Sequence, residues 1–184
     1  MEGFGAVKDV SVEEIRRIWD GRLEPVSSDL SPANLPSATR DFLTSVGLPT
    51  TEVLDITFIH GERLATPLQR GDRNYLVFAE NINDAIFVVD LDSEYVYRTD
   101  KGRDAYTDFY NSNLKFFVYF HGLLQNNVLS LEEVTQQLVA NAVNVVWNLL
   151  EEMDPRALEH DTPWNWTLSD LSVAVEADWD AEPE

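Results

Sequence analysis

The chain has 184 residues, of which 44% are hydrophobic and 11% aromatic, and this predicts a single folded domain over residues 1–184. It contains no cysteine, which excludes disulfides, thiolate metal ligands and cysteine nucleophiles. Thirteen basic residues face 33 acidic ones, and the net charge of −20 favours a basic partner over nucleic acid or an anionic membrane, with acidity for solubility as the competing interpretation.

Two short helices are predicted near the start of the chain. The segment SVEEIRRIW (11–19) has Ser11 at the N-cap position, acidic residues in its first turn, and apolar residues at helical spacing. A stretch rich in proline and serine then predicts a loop. The segment PSATRDFLTSVG (36–47) predicts a second helix that ends at Gly47.

The middle of the chain is rich in β-branched and aromatic residues, which predicts strands. The predicted strands are TEVLDITFI (51–59), NYLVFAE (74–80), AIFVVDL (85–91) and YVYRTD (95–100). Because AIFVVDL is apolar on both of its faces, it predicts a central strand that is covered on both sides. The connection DSE is short enough for an antiparallel hairpin, although it lacks glycine.

The segment FYNSNLKFF (109–117) places three polar residues inside an aromatic run. Ser112 precedes Leu114, Phe117 and Phe120, which recur at helical spacing, and a polar side chain before a helix can accept hydrogen bonds from free amides of the first turn. We therefore predict that Ser112 caps a helix whose aromatic residues enter the core. A continuing strand is the alternative, since short apolar runs suit both structures.

A long helix is predicted over SLEEVTQQLVANAVNVVWNLLEEM (130–153), with Ser130 and Glu133 as a capping box. Its predicted core-facing residues follow a helical stripe. These residues are Leu131, Val134, Leu138, Val145, Leu149 and Met153.

The segment after this helix is strongly acidic. From Glu151 onward there are eleven acidic residues and one basic residue, Arg156. Trp164 and Trp166 predict that this part packs back onto the domain, with a partner hot spot as the alternative for the two rings. The sequence leaves residues 172–184 as a candidate loose end.

Patterns typical of enzymes and metal sites are absent from the sequence. His60, His121 and His160 lack the spacing of a metal-binding helix, and no P-loop, G-x-S-x-G or dinucleotide-binding glycine pattern occurs. We therefore predict no enzyme activity, no metal and no cofactor. There is no apolar run of about 18 residues and no signal-peptide pattern at the start, so we expect a cytoplasmic protein with no membrane partner.

Four segments together carry a resemblance to a known family. They are PSATRDFLTSVGLP (36–49), NYLVFAENINDAIFVVDLDSEYVYRTD (74–100), FYNSNLKFFVYF (109–120) and EEMDPRALEHDTPWNWTLSDL (151–171). In this order the chain resembles the SUKH immunity-protein superfamily, most closely its fourth subgroup. It departs from that pattern in the DSE turn, which lacks glycine, and at Trp164 and Trp166, which compete for one tryptophan position. Asn113 also stands where a second serine is usual.

The resemblance implies an α+β fold with a largely antiparallel sheet flanked by helices. It also implies a bacterial immunity protein that binds a cognate toxin of a polymorphic toxin system stoichiometrically, without catalytic residues. Toxins of such systems are often nucleases or nucleic-acid deaminases. A scaffold or regulatory interaction module of the same superfamily and an acidic DNA-mimic inhibitor are the alternatives.

The candidate contacts with a basic toxin are acidic residues in two regions. The first region follows the predicted central strand, where we expect connecting loops to bring the acids to one edge of the sheet. Its members are Asp92, Glu94, Asp100, Asp104 and Asp108. The second region is the acidic end of the chain, with Asp178, Asp180 and Glu182.

Overall fold

The structure, a computed structural model, describes residues 9–30, 34–102, 107–130 and 135–179. Its helices are α1 Val12–Trp19, α2 Ser37–Ser45, α3 Leu114–Leu124, α4 Gln136–Met153 and α5 Pro163–Trp179. Its strands are β1 Leu23–Glu24, β2 Leu48–Pro49, β3 Ile56–Phe58, β4 Leu68–Arg70, β5 Arg73–Asn81, β6 Ala85–Asp90, β7 Val96–Asp100 and β8 Thr107–Asn111.

The main sheet is antiparallel throughout its described part. The strand order is β3-β5-β6-β7-β8, with β4 paired to the first residues of β5, while β1 and β2 form a separate two-stranded sheet. All six residues of β6 are buried, which confirms the central, doubly covered strand that its apolar pattern predicts. With five described helices beside this sheet, the predicted α+β class is confirmed.

Helix α3 is the centre of the core on one face of the sheet. Nine of its eleven residues are buried. The ring of Phe117 lies edge-on to Phe78 of β5, with centroids 4.9 Å apart, and 5.5 Å from Phe87 of β6. On the other side of α3, the Trp19 indole of α1 donates a hydrogen bond to the Val118 carbonyl (3.0 Å). Large aromatic area buried on both sides of one helix is the main stabilising contribution expected here.

The opposite face of the sheet carries a second, small apolar cluster formed by Tyr75, Ile86 and Val88. No residue of a described helix belongs to it. The guanidinium of Arg70 on β4 instead reaches Thr99 and the Asp100 carbonyl on β7, although β5 and β6 lie between those strands. The sheet is therefore strongly curled, and its own long side chains cover the cluster.

The helix predicted after the polar triplet is confirmed, but its cap is not the predicted residue. Strand β8 ends at Asn111, helix α3 begins at Leu114, and the Asn113 side chain accepts the hydrogen bond from the Phe116 amide (2.8 Å). The prediction that Ser112 caps the helix is wrong by one position, because the Ser112 hydroxyl is engaged with Asp154 instead (2.6 Å).

The start and the buried face of the long helix also differ from the prediction. Helix α4 begins at Gln136, and Thr135 accepts from the Leu138 amide (3.3 Å), while the Ser130 hydroxyl donates to the Gln125 carbonyl. Glu133, with Leu131 and Val134, lies outside the described residues. Leu138 and Val145 are 45% and 47% exposed.

The core-facing stripe of α4 is Val139, Ala142, Val143, Val146, Leu150 and Met153. Of the residues predicted for that face, Met153 is buried and Leu149 is partly buried against the core.

The predicted return of the acidic segment onto the domain is confirmed. Trp164 is fully buried, whereas Trp166 is 37% exposed. Helix α5 continues to Trp179, and residues 180–184 lie outside the described part of the chain.

Candidate functional site

A buried polar network joins three distant parts of the chain. The Asp154 carboxylate, which follows α4 and is 1% exposed, accepts hydrogen bonds from the Asn111 amide (2.9 Å), the Ser112 backbone N–H (2.9 Å) and the Ser112 hydroxyl (2.6 Å). The Asn111 side-chain oxygen in turn accepts from the Trp164 indole (3.1 Å). These residues come from the segments that carry the family resemblance, and here they hold the β8–α3 junction, the end of α4 and α5 together.

A second buried polar group lies beside this network. The ring Nδ1–H of His121 donates to the Phe117 carbonyl (2.8 Å), so its Nε2 accepts from the Tyr110 hydroxyl (3.2 Å). Burial lowers the pKa of His121 to about 4, against the favourable effect of the Phe117 hydrogen bond, and burial raises the pKa of Tyr110. Both groups are therefore neutral at pH 7 and act as structural elements of the core.

Acidification is expected to destabilise the fold through His121. Its pKa is about 4 when folded and about 6.5 when unfolded, so the unfolded chain binds the proton first as the pH falls. The free energy of unfolding should drop by about 1.4 kcal/mol between pH 7.5 and pH 5.5 from this residue. Urea unfolding at these pH values measures the effect. His121→Gln should reduce the dependence, and exposed His160→Gln should leave it unchanged; an equal dependence in all three proteins would contradict the assignment.

The β6–β7 turn is built by another buried carboxylate. Asp90 is 1% exposed, and its Oδ1 accepts from the backbone amides of Asp92 (2.9 Å) and Ser93 (3.3 Å), while its Oδ2 binds Arg73 (3.1 Å). Glu94 takes the left-handed conformation, with φ of 63°, which glycine would adopt without strain. The turn thus confirms the predicted hairpin and holds Glu94 in a strained conformation, a feature often found at functional sites.

The acids of the first predicted region do not lie together. Asp92 and Glu94 lie in the turn before β7, whereas Asp100 is the last residue of that strand and Asp108 of β8 pairs with Arg98 of β7. The length of β7, roughly 13 Å over its five residues, separates Asp100 from the turn that holds Asp92 and Glu94. The expectation of one shared edge is therefore wrong, because loops of successive hairpins alternate between the two ends of a sheet.

The remaining candidate acids fall into three situations. The Asp108 side chain is only 12% exposed and faces Arg98 (3.8 Å), so little of it is available to a partner. Asp104, Asp180 and Glu182 lie outside the described residues. Asp178 lies on α5 beyond Val173, the last residue of that helix whose side chain is described.

The β4–β5 turn lies beside the β6–β7 turn. The Leu91 amide donates to the Asn74 carbonyl (3.0 Å), and Arg73 reaches Asp90 as described above. The exposed Asp72 therefore lies at the same end of the sheet as Asp92 and Glu94. We call Asp72, Asp92 and Glu94 the turn acids. Asp72 was not among the predicted contacts, because no local pattern in the sequence indicates which turns meet at one end of the sheet.

A shallow groove of about 190 Å³ adjoins the turn between α2 and the start of α3. Its lining includes Phe42, Leu114 and Lys115, and Glu94 closes one side. The Glu94 carboxylate accepts a hydrogen bond from the Thr39 hydroxyl (3.3 Å), and Lys115 is paired with Asp9. Glu94 is the acidic side chain of this lining and Lys115 is the basic one.

Three half-buried rings, those of Tyr95, Tyr97 and Phe109, extend from the turn across β7 and β8. Their centroids lie 5.6–6.5 Å apart in edge-to-face arrangements. The guanidinium of exposed Arg156 lies over Phe109 at 4.1 Å and over Tyr95 at 4.9 Å. We call these four residues the aromatic–arginine cluster. Alternation along YVYRTD places Tyr95 and Tyr97 on one face, but the contact with Arg156 leaves no signal in the sequence.

The three histidines lie apart from one another in the structure. His60 is half-buried and contacts the Pro49 carbonyl (3.0 Å), His121 is in the core, and His160 is exposed beside Asp161. Across the described ranges, no three histidine or acidic side chains converge as they would around a metal ion. Within those ranges, too, no helix has both the length and the apolar character of a membrane span.

Comparison with known proteins identifies a family. The model of a family described as SUKH-4 immunity protein matches residues 22–168. No curated protein and no solved structure matches the chain. The matched range contains the β4–β5 and β6–β7 turns, the buried Asn111–Asp154–Trp164 network and the aromatic–arginine cluster.

Proposed function

Because the chain belongs to the SUKH-4 immunity protein family, we propose that it binds a cognate toxin and neutralises it by stoichiometric contact rather than by catalysis. The family match over residues 22–168 is the observation that carries this proposal. Asn111, Asp154 and Trp164, which belong to the segments that carry the resemblance, are buried and hydrogen-bonded to one another. Their role is therefore to stabilise the fold. A partner would have to contact exposed residues instead.

Charge supports a basic toxin that acts on nucleic acid. Enzymes of that kind present cationic grooves to phosphates. A chain with a net charge of −20 is attracted to such a groove over long range, which accelerates the encounter. Rapid capture suits a protein that must block its target before damage occurs.

The turn acids are the contact region that the geometry supports best. They are contributed by two adjacent turns at one end of the sheet, and Glu94 borders a groove. Asp100 and Asp108 at the opposite end, with Asp104 in the connection between them, and the tail acids Asp178, Asp180 and Glu182 form the second choice.

Charge reversal at the turn should slow toxin association. Asp92→Lys combined with Glu94→Lys removes the attractive field at this end, and we expect the association rate to fall at least about tenfold, equivalent to about 1.4 kcal/mol. Stopped-flow kinetics with the toxin encoded by the neighbouring gene measures the rate, and repeating it at rising salt should show a steep decline.

The matched control is Asp84→Lys with Asp100→Lys. It changes the net charge by the same amount as the turn variant, but at the other end of β6 and β7. Its association rate should change less than threefold. A larger effect of this pair than of the turn pair would place the interface at that end. Rates independent of salt would exclude electrostatic steering.

A further inference from the structure

The face of β7 and β8 that carries the small apolar cluster also carries partly exposed aromatic rings. Packing of the fold alone does not explain why these rings remain partly exposed. Tyr97 lies opposite Val88 in β6 and packs against the small apolar cluster, and Phe109 lies opposite Tyr97. Tyr95 extends the row to the turn next to Glu94. Tyrosine, phenylalanine and arginine are the residue types that concentrate at the desolvated centre of protein interfaces.

Arg156 is held over these rings by the buried network. It lies in the 3₁₀ turn Pro155–Leu158, immediately after Asp154, whose carboxylate is fixed by Asn111 and Ser112. The guanidinium is stacked at 4.1 Å from the Phe109 ring, so its position is set before any partner arrives. A preorganised side chain loses less conformational entropy on binding than a free one.

The acids beside the cluster complement a cationic protein surface, whereas Arg156 itself requires a hydrogen-bond acceptor or a ring on the partner. Asp92 is exposed and Glu94 half-exposed in the turn that continues into Tyr95. A partner that brings lysine or arginine side chains to these acids would lay its neighbouring apolar groups on the rings. The acids and the rings together therefore form a surface with a charged rim and an aromatic centre, as stable interfaces have.

We infer that the aromatic–arginine cluster is the centre of the toxin interface, where a basic protein surface is desolvated against Tyr95, Tyr97 and Phe109. This inference rests on the proposed immunity function and adds a division of labour to it. The turn acids govern how fast the toxin arrives, and the cluster governs how slowly it leaves.

Dissociation kinetics with the toxin encoded by the neighbouring gene test this division. Tyr95→Ala and Arg156→Ala are each expected to raise the dissociation rate at least about thirtyfold and to leave the association rate within about threefold. The matched control is Trp166→Ala, which removes a partly exposed aromatic ring outside the cluster, on α5. It should leave both the association rate and the dissociation rate unchanged. Circular dichroism and thermal unfolding identify which variants are folded.

Dissociation rates within twofold of wild type in either folded variant would overturn the inference while leaving the immunity function intact. Failure of the unmodified chain to bind the toxin would instead remove the proposed function. An equal acceleration by Trp166→Ala would move the interface to α5.

Discussion

Asp154→Ala should lower the free energy of unfolding by about 3–5 kcal/mol. The substitution leaves the Asn111 amide, the Ser112 N–H and the Ser112 hydroxyl without their acceptor in a site that is almost closed to solvent. An unsatisfied buried donor costs about 1–3 kcal/mol, and water that enters the vacated space offsets part of the sum. Urea unfolding at pH 7.5 measures the loss.

Two further variants make this result specific to the network. Ser112→Ala removes one of the three donors to Asp154, the hydroxyl, and keeps the backbone N–H, so it should lower stability by about 0.5–2 kcal/mol. Asp170→Ala deletes an exposed carboxylate of α5 and should change stability by less than about 0.5 kcal/mol. A loss below about 1 kcal/mol for Asp154→Ala would contradict the structural role of the network.

Gly47→Ala should lower the free energy of unfolding by about 3 kcal/mol. Gly47 has a φ of 92°, and a β-carbon there would lie 2.0 Å from the Glu24 carbonyl oxygen of β1. A contact that short forces the backbone of β1 or the end of α2 to move. This close approach is the physical reason for glycine in VGLP, the end of the segment 36–49, which is one of the four that carry the resemblance.

The matched control for Gly47 is Gly71→Ala. Gly71 also has a positive φ, of 56°, but a β-carbon there would meet no atom within 4 Å. This variant should lose only the about 1 kcal/mol that a left-handed alanine costs. Equal losses in the two variants would show that backbone conformation alone, without the contact to β1, explains the glycine at position 47.

Elements with a strong local pattern could be predicted from the sequence. Strand β6 is apolar on both faces and is fully buried. Helix α1 has the predicted cap, where the Ser11 hydroxyl accepts from the Glu14 amide (3.1 Å). In both elements the deciding interactions lie within a few residues, so the pattern and the structure contain the same information.

Helix α4 shows where local pattern is insufficient. Its segment VANAVNVVWNLL places apolar residues on more than one flank, so spacing alone permits several buried faces. Packing against α3 and α5 buries Val146 and Leu150 and leaves Leu138 and Val145 exposed. The choice among apolar faces is made by tertiary contacts that no local rule contains.

The candidate contact surface has one feature that follows from local pattern and one that depends on tertiary contacts. The alternation of hairpin ends follows from predicted strands, so the separation of Asp92 from Asp100 could have been derived from the sequence. The contact of Arg156 with Phe109 joins residues that are distant along the chain, as does the bond between Asn111 and Asp154. Such pairs depend on how the helices close over β8, which local spacing does not specify.

Titration of toxin activity with the purified chain tests the immunity function most directly. The product of the neighbouring gene, tested as the candidate toxin, is held at a concentration far above the dissociation constant, and the nucleic-acid activity proposed for it is followed as the chain is added. Stoichiometric binding predicts a linear fall that ends near one chain per toxin. Activity that persists at a tenfold excess of the chain, or that is abolished by a small fraction of an equivalent, would contradict neutralisation by stoichiometric contact.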